Sequence, residues 1–132
     1  MAKVMCFGTF DVLHEGHKYY LNEAKKLGDW LVVVIALDET VEKIKGRLPR
    51  NSQTVRRQNL EALKIADRVV LGNKGDKLKV VRDEKPDILA FGYDQDSFNS
   101  FAEDAVKKGL LPEIKVVRIR PHHPDKYKSS LL

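Results

Sequence analysis

Short, largely apolar segments alternate along the chain with stretches in which apolar residues recur every three or four positions. Residues 3–7, 31–36, 68–71, 88–91 and 114–119 read as strands. The second of these is a continuous Val/Ile-rich run without polar alternation, the pattern of a strand covered on both faces, as in parallel sheets. Between the strands, Tyr19, Tyr20, Leu21, Ala24 and Leu27 predict a helix with Gly28 as its stop. Asp38 stands where it can cap a short helix, and Ser52 precedes a helical stretch carrying Leu60, Leu63 and Ile65. Leu78 and Val81 mark a brief helix stopped by Pro86, residues 102–108 a further one stopped by Gly109, and Pro121 opens a last loop.

Strands that alternate with helices at this spacing imply a parallel sheet with right-handed crossovers. The expected fold is therefore α/β, a Rossmann-like three-layer sandwich with a five-stranded parallel sheet, built as one domain over residues 1–132. In such open sheets ligands bind beyond the carboxyl ends of the strands, near the point where strand order reverses. The loops at that edge are residues 8–18, 37–52, 72–77, 92–99 and 120–130.

Composition narrows the class. The 132 residues are 42% hydrophobic and 33% charged, as in folded globular chains, and the longest apolar run, 30–37, is too short for a membrane span. With no cleavable signal pattern at the start, the expected compartment is the cytoplasm. The single cysteine, Cys6, lies inside an apolar run and reads as a small buried hydrophobe.

The net charge of +5 is unevenly placed. Residues 43–57 carry six basic residues and no acid, residues 115–128 carry a net +4, and the remainder of the chain is −5. An acidic body with two basic segments suits a compact anionic ligand better than a nucleic-acid surface, although the isoelectric point is near 9.3. Such runs are also what solvated faces look like, so the charge needs company to mean anything.

That company is histidine. His14, His17, His122 and His123 all fall in two carboxyl-edge loops, and the 43–57 segment starts in another. Imidazole near neutral pH suits donation to an anionic reacting group. His14 and His17, three apart at a helix start, project from one turn; Gly16 between them is expected to let a ligand come close, and the backbone N–H groups of that helix start to offer a phosphate site. A zinc site on the pair lacks a thiolate cluster and a zincin pattern, so no metal ligand is assigned.

The run Gly8-Thr9-Phe10-Asp11-Val12-Leu13-His14-Glu15-Gly16-His17 resembles the signature of the cytidylyltransferase-like nucleotidyltransferase superfamily, a GTFD segment followed by H-x-G-H. The resemblance continues through Asp38, Lys43, Lys45, Arg56, Gly92-Tyr93-Asp94-Gln95 and the late pair Ser129-Ser130. Within the superfamily, the Gly-Tyr-Asp-Gln segment and residues 126–130 resemble the archaeal FAD synthases, with glycerol-3-phosphate cytidylyltransferases and sugar-phosphate adenylyltransferases as alternatives. The resemblance implies in-line attack by an acceptor phosphate on the α-phosphorus of ATP or CTP, with FMN the leading acceptor and pyrophosphate the leaving group.

It further implies catalytic roles for His14, His17, Lys43 and Arg56. Gly8, Thr9, Phe10, Asp11, Gly16, Asp94, Ser129 and Ser130 would bind the nucleotide, with Lys126 and Lys128 as alternative phosphate contacts. Asp38, Tyr93 and Tyr127 would face the acceptor. Asp11 and Asp38 also have plain helix-start readings. Mg²⁺ or another divalent ion accompanies the triphosphate with few protein ligands, and a homodimer is implied. A non-catalytic nucleotide-binding module is the reading from another class.

Overall fold

The five strands of the computed structural model, which describes residues 2–11, 13–72, 79–92 and 114–119, carry hydrophobic side chains on both faces, and both faces of the sheet are covered. Strands β1 (Lys3–Gly8), β2 (Trp30–Ile35), β3 (Arg68–Leu71), β4 (Ile88–Gly92) and β5 (Lys115–Ile119) form one sheet in the order β3-β2-β1-β4-β5, with every neighbouring pair parallel. Strand order reverses between β1 and β4. That is where the topology opens a crevice at the carboxyl edge.

Alternate residues of the central strands feed two cores. Val4, Cys6, Leu31, Val33, Ile35 and Ala90 join one, and Met5, Phe7, Val32, Val34, Leu89 and Phe91 join the other. Helices α1 (Glu15–Lys25) and α3 (Gln53–Leu63) cover the first through Tyr20, Leu21, Ala24 and Leu60. Helix α4 (Lys79–Glu84) covers the second through Val80 and Val81. A short helix, α2 (Asp38–Lys45), follows β2. The three layers expected from the sequence are present, and each fully buried aliphatic side chain contributes roughly 1.5–3 kcal/mol to holding them together. Among the described residues no helix is long and apolar enough to cross a membrane.

Three local expectations change. Helix α1 ends at Lys25 with Lys26 as its C-cap, so Gly28 does not stop it and Leu27 is exposed rather than packed. Gly28 is needed because a Cβ there would lie 2.6 Å from the Ala2 carbonyl oxygen, where the chain passes the start of β1. The N-cap of α2 is Leu37, not Asp38, and the Asp38 N–H is satisfied by the Gln53 side chain at 2.9 Å. Ile65 lies beyond α3, which Lys64 closes in a left-handed conformation, yet it still packs on the core. Ser52 caps α3 as expected, accepting from the Val55 N–H at 3.3 Å. Cys6 is buried as expected, and burial pushes its thiol up to about 12 against a hydrogen bond with Tyr20. The expected helix over 102–108 and the loop opened by Pro121 lie outside the described residues.

Candidate active site

Helix α1 begins on two imidazoles that cap each other's backbone. His14 is the N-cap, and its Nδ1 accepts from the Gly16 N–H at 3.0 Å. His17 reaches back so that its Nδ1 accepts from the His14 N–H at 3.3 Å. The rings stack with centroids 3.9 Å apart and planes 23° from parallel. This is a capping box with imidazoles in place of the usual hydroxyl and carboxylate.

The arrangement has two chemical consequences. Because each Nδ1 accepts a backbone N–H, each neutral imidazole carries its one ring proton on Nε2, so the pair consists of two donors rather than a donor and an acceptor. The expected phosphate site on open N–H groups of the helix start is also altered. Gly16 N–H is taken by His14, and the His17 and Lys18 N–H groups both donate to the His14 carbonyl oxygen at 3.0 and 3.2 Å. Gly16 likewise serves the cap itself, since a Cβ there would lie 2.9 Å from Cε1 of His14.

The preceding turn is built around Phe10. Its backbone is left-handed at φ 52, its ring is buried, and it meets His17 edge-on with centroids 5.3 Å apart. Gly8 is required beneath it, because a Cβ at Gly8 would lie 2.7 Å from the Phe10 ring. A non-glycine residue held in this conformation stores strain that the packing around it must offset. Thus Gly8 and Phe10 fix where β1 ends and from which direction His17 is supported.

Arg56 and two aspartates stitch this turn to the loop between α2 and α3. Arg56 is 0% exposed, and its Nε donates to Asn51 O at 3.0 Å, Nη1 to Thr9 O at 2.9 Å and Nη2 to Asp38 Oδ1 at 2.7 Å. It is a positioning residue in this arrangement rather than an open anion contact. Asp38 answers it and does not cap its own helix. Asp11 accepts from the Arg50 N–H at 2.7 Å through Oδ2 and from the Asn51 N–H at 3.0 Å through Oδ1. Partial burial pushes the Asp11 carboxyl up, but those two N–H groups and the nearby Arg56 and Arg50 charges outweigh it and hold it below the usual carboxylate range.

Of the remaining basic residues of the segment, Arg57 pairs with Glu61 at 3.8 Å. Lys43, Lys45, Arg47 and Arg50 are exposed, and their side chains make no hydrogen bond or ion pair among the described residues. A cavity of about 100 Å³ lies between Asp11, Val41 and Leu48 and is lined also by Lys45, Arg47 and Arg50. Gly46, left-handed at φ 77, ends α2 and sends the chain across this cavity. Tyr93, Asp94, His122, His123, Lys126, Tyr127, Lys128, Ser129 and Ser130 lie outside the described residues. Among the described residues no group of three or more His, Cys, Asp or Glu could hold a metal ion.

Sequence reasoning missed Asn51 and Gln53, whose roles depend on contacts far along the chain. It could have found the burial of Arg56, which lies one turn before Leu60 on the same face of α3.

Comparison with known proteins agrees with the motif. The family described as Cytidylyltransferase-like matches residues 5–131. The FAD synthase of Aciduliprofundum boonei is 46% identical over 123 residues, covering 92% of this chain and 80% of that protein. The FAD synthase of Thermoplasma volcanium is 42% identical over 130 residues, covering 98% and 90%. Among solved structures, one described as the lipopolysaccharide core biosynthesis protein from Thermoplasma volcanium superposes with a TM-score of 0.84 at 42% identity, covering 92% of this chain and 98% of that one. With the GTFD turn, the paired imidazoles and a sheet of the same architecture in place, the chain belongs to the cytidylyltransferase-like family.

Proposed function

We propose that the protein is an FAD synthase that joins FMN and ATP to give FAD and pyrophosphate. A phosphate oxygen of FMN attacks the α-phosphorus of ATP in line, the new P–O bond forms as the bond to the β-phosphate oxygen breaks, and the electron pair leaves with pyrophosphate. Negative charge builds on the α-phosphate oxygens and on the leaving group. Such a reaction needs chiefly positioning and fixed donors, with no covalent enzyme intermediate.

The observation that carries this reading is the reciprocal cap. It turns the Nδ1 atoms of both His14 and His17 onto backbone N–H groups just beyond the carboxyl end of β1, and Lys43, Lys45, Arg47 and Arg50 of the basic segment make no side-chain hydrogen bond or ion pair among the described residues. In the proposed reaction His14 and His17 donate to the oxygens on which charge develops, and Lys43 neutralises the phosphates. Arg56 holds the Thr9 carbonyl and Asp38 in place, while Gly8, Phe10 and Asp11 fix the turn against which the nucleotide lies. By resemblance, Asp94, Ser129 and Ser130 contact the nucleotide and Tyr93 and Tyr127 the acceptor. A homodimer and a cytoplasmic site of action belong to the same reading on the same ground.

Magnesium belongs to it as the metal complex of ATP, that is, as part of the substrate. The described carboxylates of this edge are already committed, Asp11 to two backbone N–H groups and Asp38 to Arg56, so they do not form a cage for a resident ion.

The choice of FMN and ATP is supported by the archaeal relatives, all at 42–46% identity. The test is FAD formation and pyrophosphate release by the pure protein with ATP, Mg²⁺ and FMN, with His17→Ala as control. FAD formation that the control abolishes is expected. Pyrophosphate release only with CTP and glycerol 3-phosphate, or only with a sugar phosphate, would replace the substrates. Silence with every pair would favour a nucleotide-binding module.

A further inference from the structure

Tyr20 lies on α1 one turn beyond His17, is 8% exposed, and reads from the sequence as no more than a core residue. Its hydroxyl donates to the Ala90 carbonyl oxygen at 2.6 Å and accepts from the Phe7 N–H at 3.4 Å. One side chain of the helix that carries the imidazoles therefore bonds to both strands that flank the crevice.

The sheet register shows what this contact does. β1 pairs with β2 as far as Gly8 opposite Ile35, but with β4 only as far as Cys6 opposite Ala90. In a parallel ladder the Cys6–Ala90 pair is closed by the Phe7 N–H facing the Ala90 carbonyl, and it is the last rung before the strands part. The Tyr20 hydroxyl contacts both groups of that rung. It satisfies both of them at the level where the strands part, which a buried phenyl ring could not do.

We propose that Tyr20 is a positioning residue for nucleotidyl transfer: by bridging Phe7 and Ala90 its hydroxyl ends the β1–β4 ladder, sets the width of the crevice, and fixes where His14 and His17 stand over it. This rests on the proposed function. Removing the hydroxyl strips the last β1–β4 rung of its side-chain partner, and α1 loses its tie to the sheet one turn from His17.

The experiment is Tyr20→Phe, with turnover of ATP and FMN measured beside the ring ¹⁵N signals of His14 and His17 and the amide signal of Phe7. The expected result is a fall in kcat of roughly ten- to a hundredfold, as for a small misplacement of reacting groups, with KM for ATP little changed and the His17 and Phe7 signals moved. Unchanged kcat with unchanged ring signals would overturn the proposal, and so would a loss accounted for wholly by the unfolded fraction. If Tyr20→Phe does not fold, 3-fluorotyrosine placed at position 20 keeps the ring and strengthens the donor. It should shift the same two signals, and their constancy would be equally fatal. The signals are read without turnover, so an enzyme inactive with ATP and FMN would fail the FAD synthase reading while Tyr20 is still decided.

Discussion

At the amino edge of the sheet, three carboxylates turn onto the chain itself. Asp29, Asp87 and Asp67 accept the backbone N–H groups of Ala2, Lys3 and Leu31 at 2.9, 2.8 and 2.8 Å, and Lys25 pairs with Asp67. Glu84 faces both Lys3 and Arg68. At the carboxyl edge the side chains of Lys43, Lys45, Arg47 and Arg50 make no hydrogen bond or ion pair among the described residues, and the buried Arg56 ties loops together. Among the described residues the sheet thus pairs its charges at one end and leaves an excess of positive charge at the other. Charge at the amino edge should act on stability, and charge at the carboxyl edge on an anionic ligand.

The largest effect should separate the two. His17→Ala is expected to lower kcat/KM by roughly 10²–10³, the cost of one lost donor to developing charge. His14→Asn is the sharper variant. Asn is a good N-cap and keeps an acceptor for the helix start, so melting should stay close to the parent's while turnover falls comparably. Thermal melting and steady-state kinetics on one preparation check both halves.

Arg56→Ala should blur the comparison, because that residue belongs to the site's frame. Leaving Asp38 without its buried partner is expected to cost about 3 kcal/mol, and freeing the Thr9 carbonyl should lower turnover as well. Arg56→Lys should recover little, since one ammonium cannot reach three acceptors in fixed directions. Urea denaturation together with kcat measures both losses.

At the amino edge, Asp67→Ala should lower stability by about 1–2 kcal/mol with kcat unchanged. Asp67 is partly buried, which raises its carboxyl, but Lys25 and the Leu31 N–H outweigh this and hold it below the ordinary 3.8. A carboxyl whose pKa is lower folded than unfolded adds stability that is complete above the unfolded value and is lost as pH falls through the folded one. Urea midpoints of the parent should therefore drop below about pH 4, and the drop should be shallower in Asp67→Ala. Asp11 carries the same sign at the other edge. The smallest effect should be Lys79→Ala, which breaks only the exposed pair with Asp83 and should cost at most about 0.5 kcal/mol in the same measurement.

What the sequence revealed follows from how local each cause is. Strands such as β2 are legible because burial on both faces leaves an unbroken apolar run, and Ser52 is legible as a cap because its acceptor and donor lie three residues apart. The imidazole pair is legible from the spacing of the H-x-G-H motif. The duties of Asp11 and Asp38 are not, because their partners lie 40 and 18 residues away and are chosen by the path of a loop. Nor is the use of Gly28, which answers to a carbonyl at the start of β1 rather than to its own helix. Tyr20 is the instructive middle case. Its burial is readable from the helical period, whereas its hydroxyl has meaning only once β1 and β4 are seen to part beside it.

The most direct test of the central claim, that the capped imidazole pair and the unpaired cations form a site for nucleotidyl transfer to FMN, is FAD formation from ATP and FMN by the parent and by His14→Asn at matched thermal stability. The account predicts that the parent makes FAD and that the variant, folded alike, makes it at least roughly a hundredfold more slowly. A parent that makes no FAD, or a variant as fast as the parent, would contradict it.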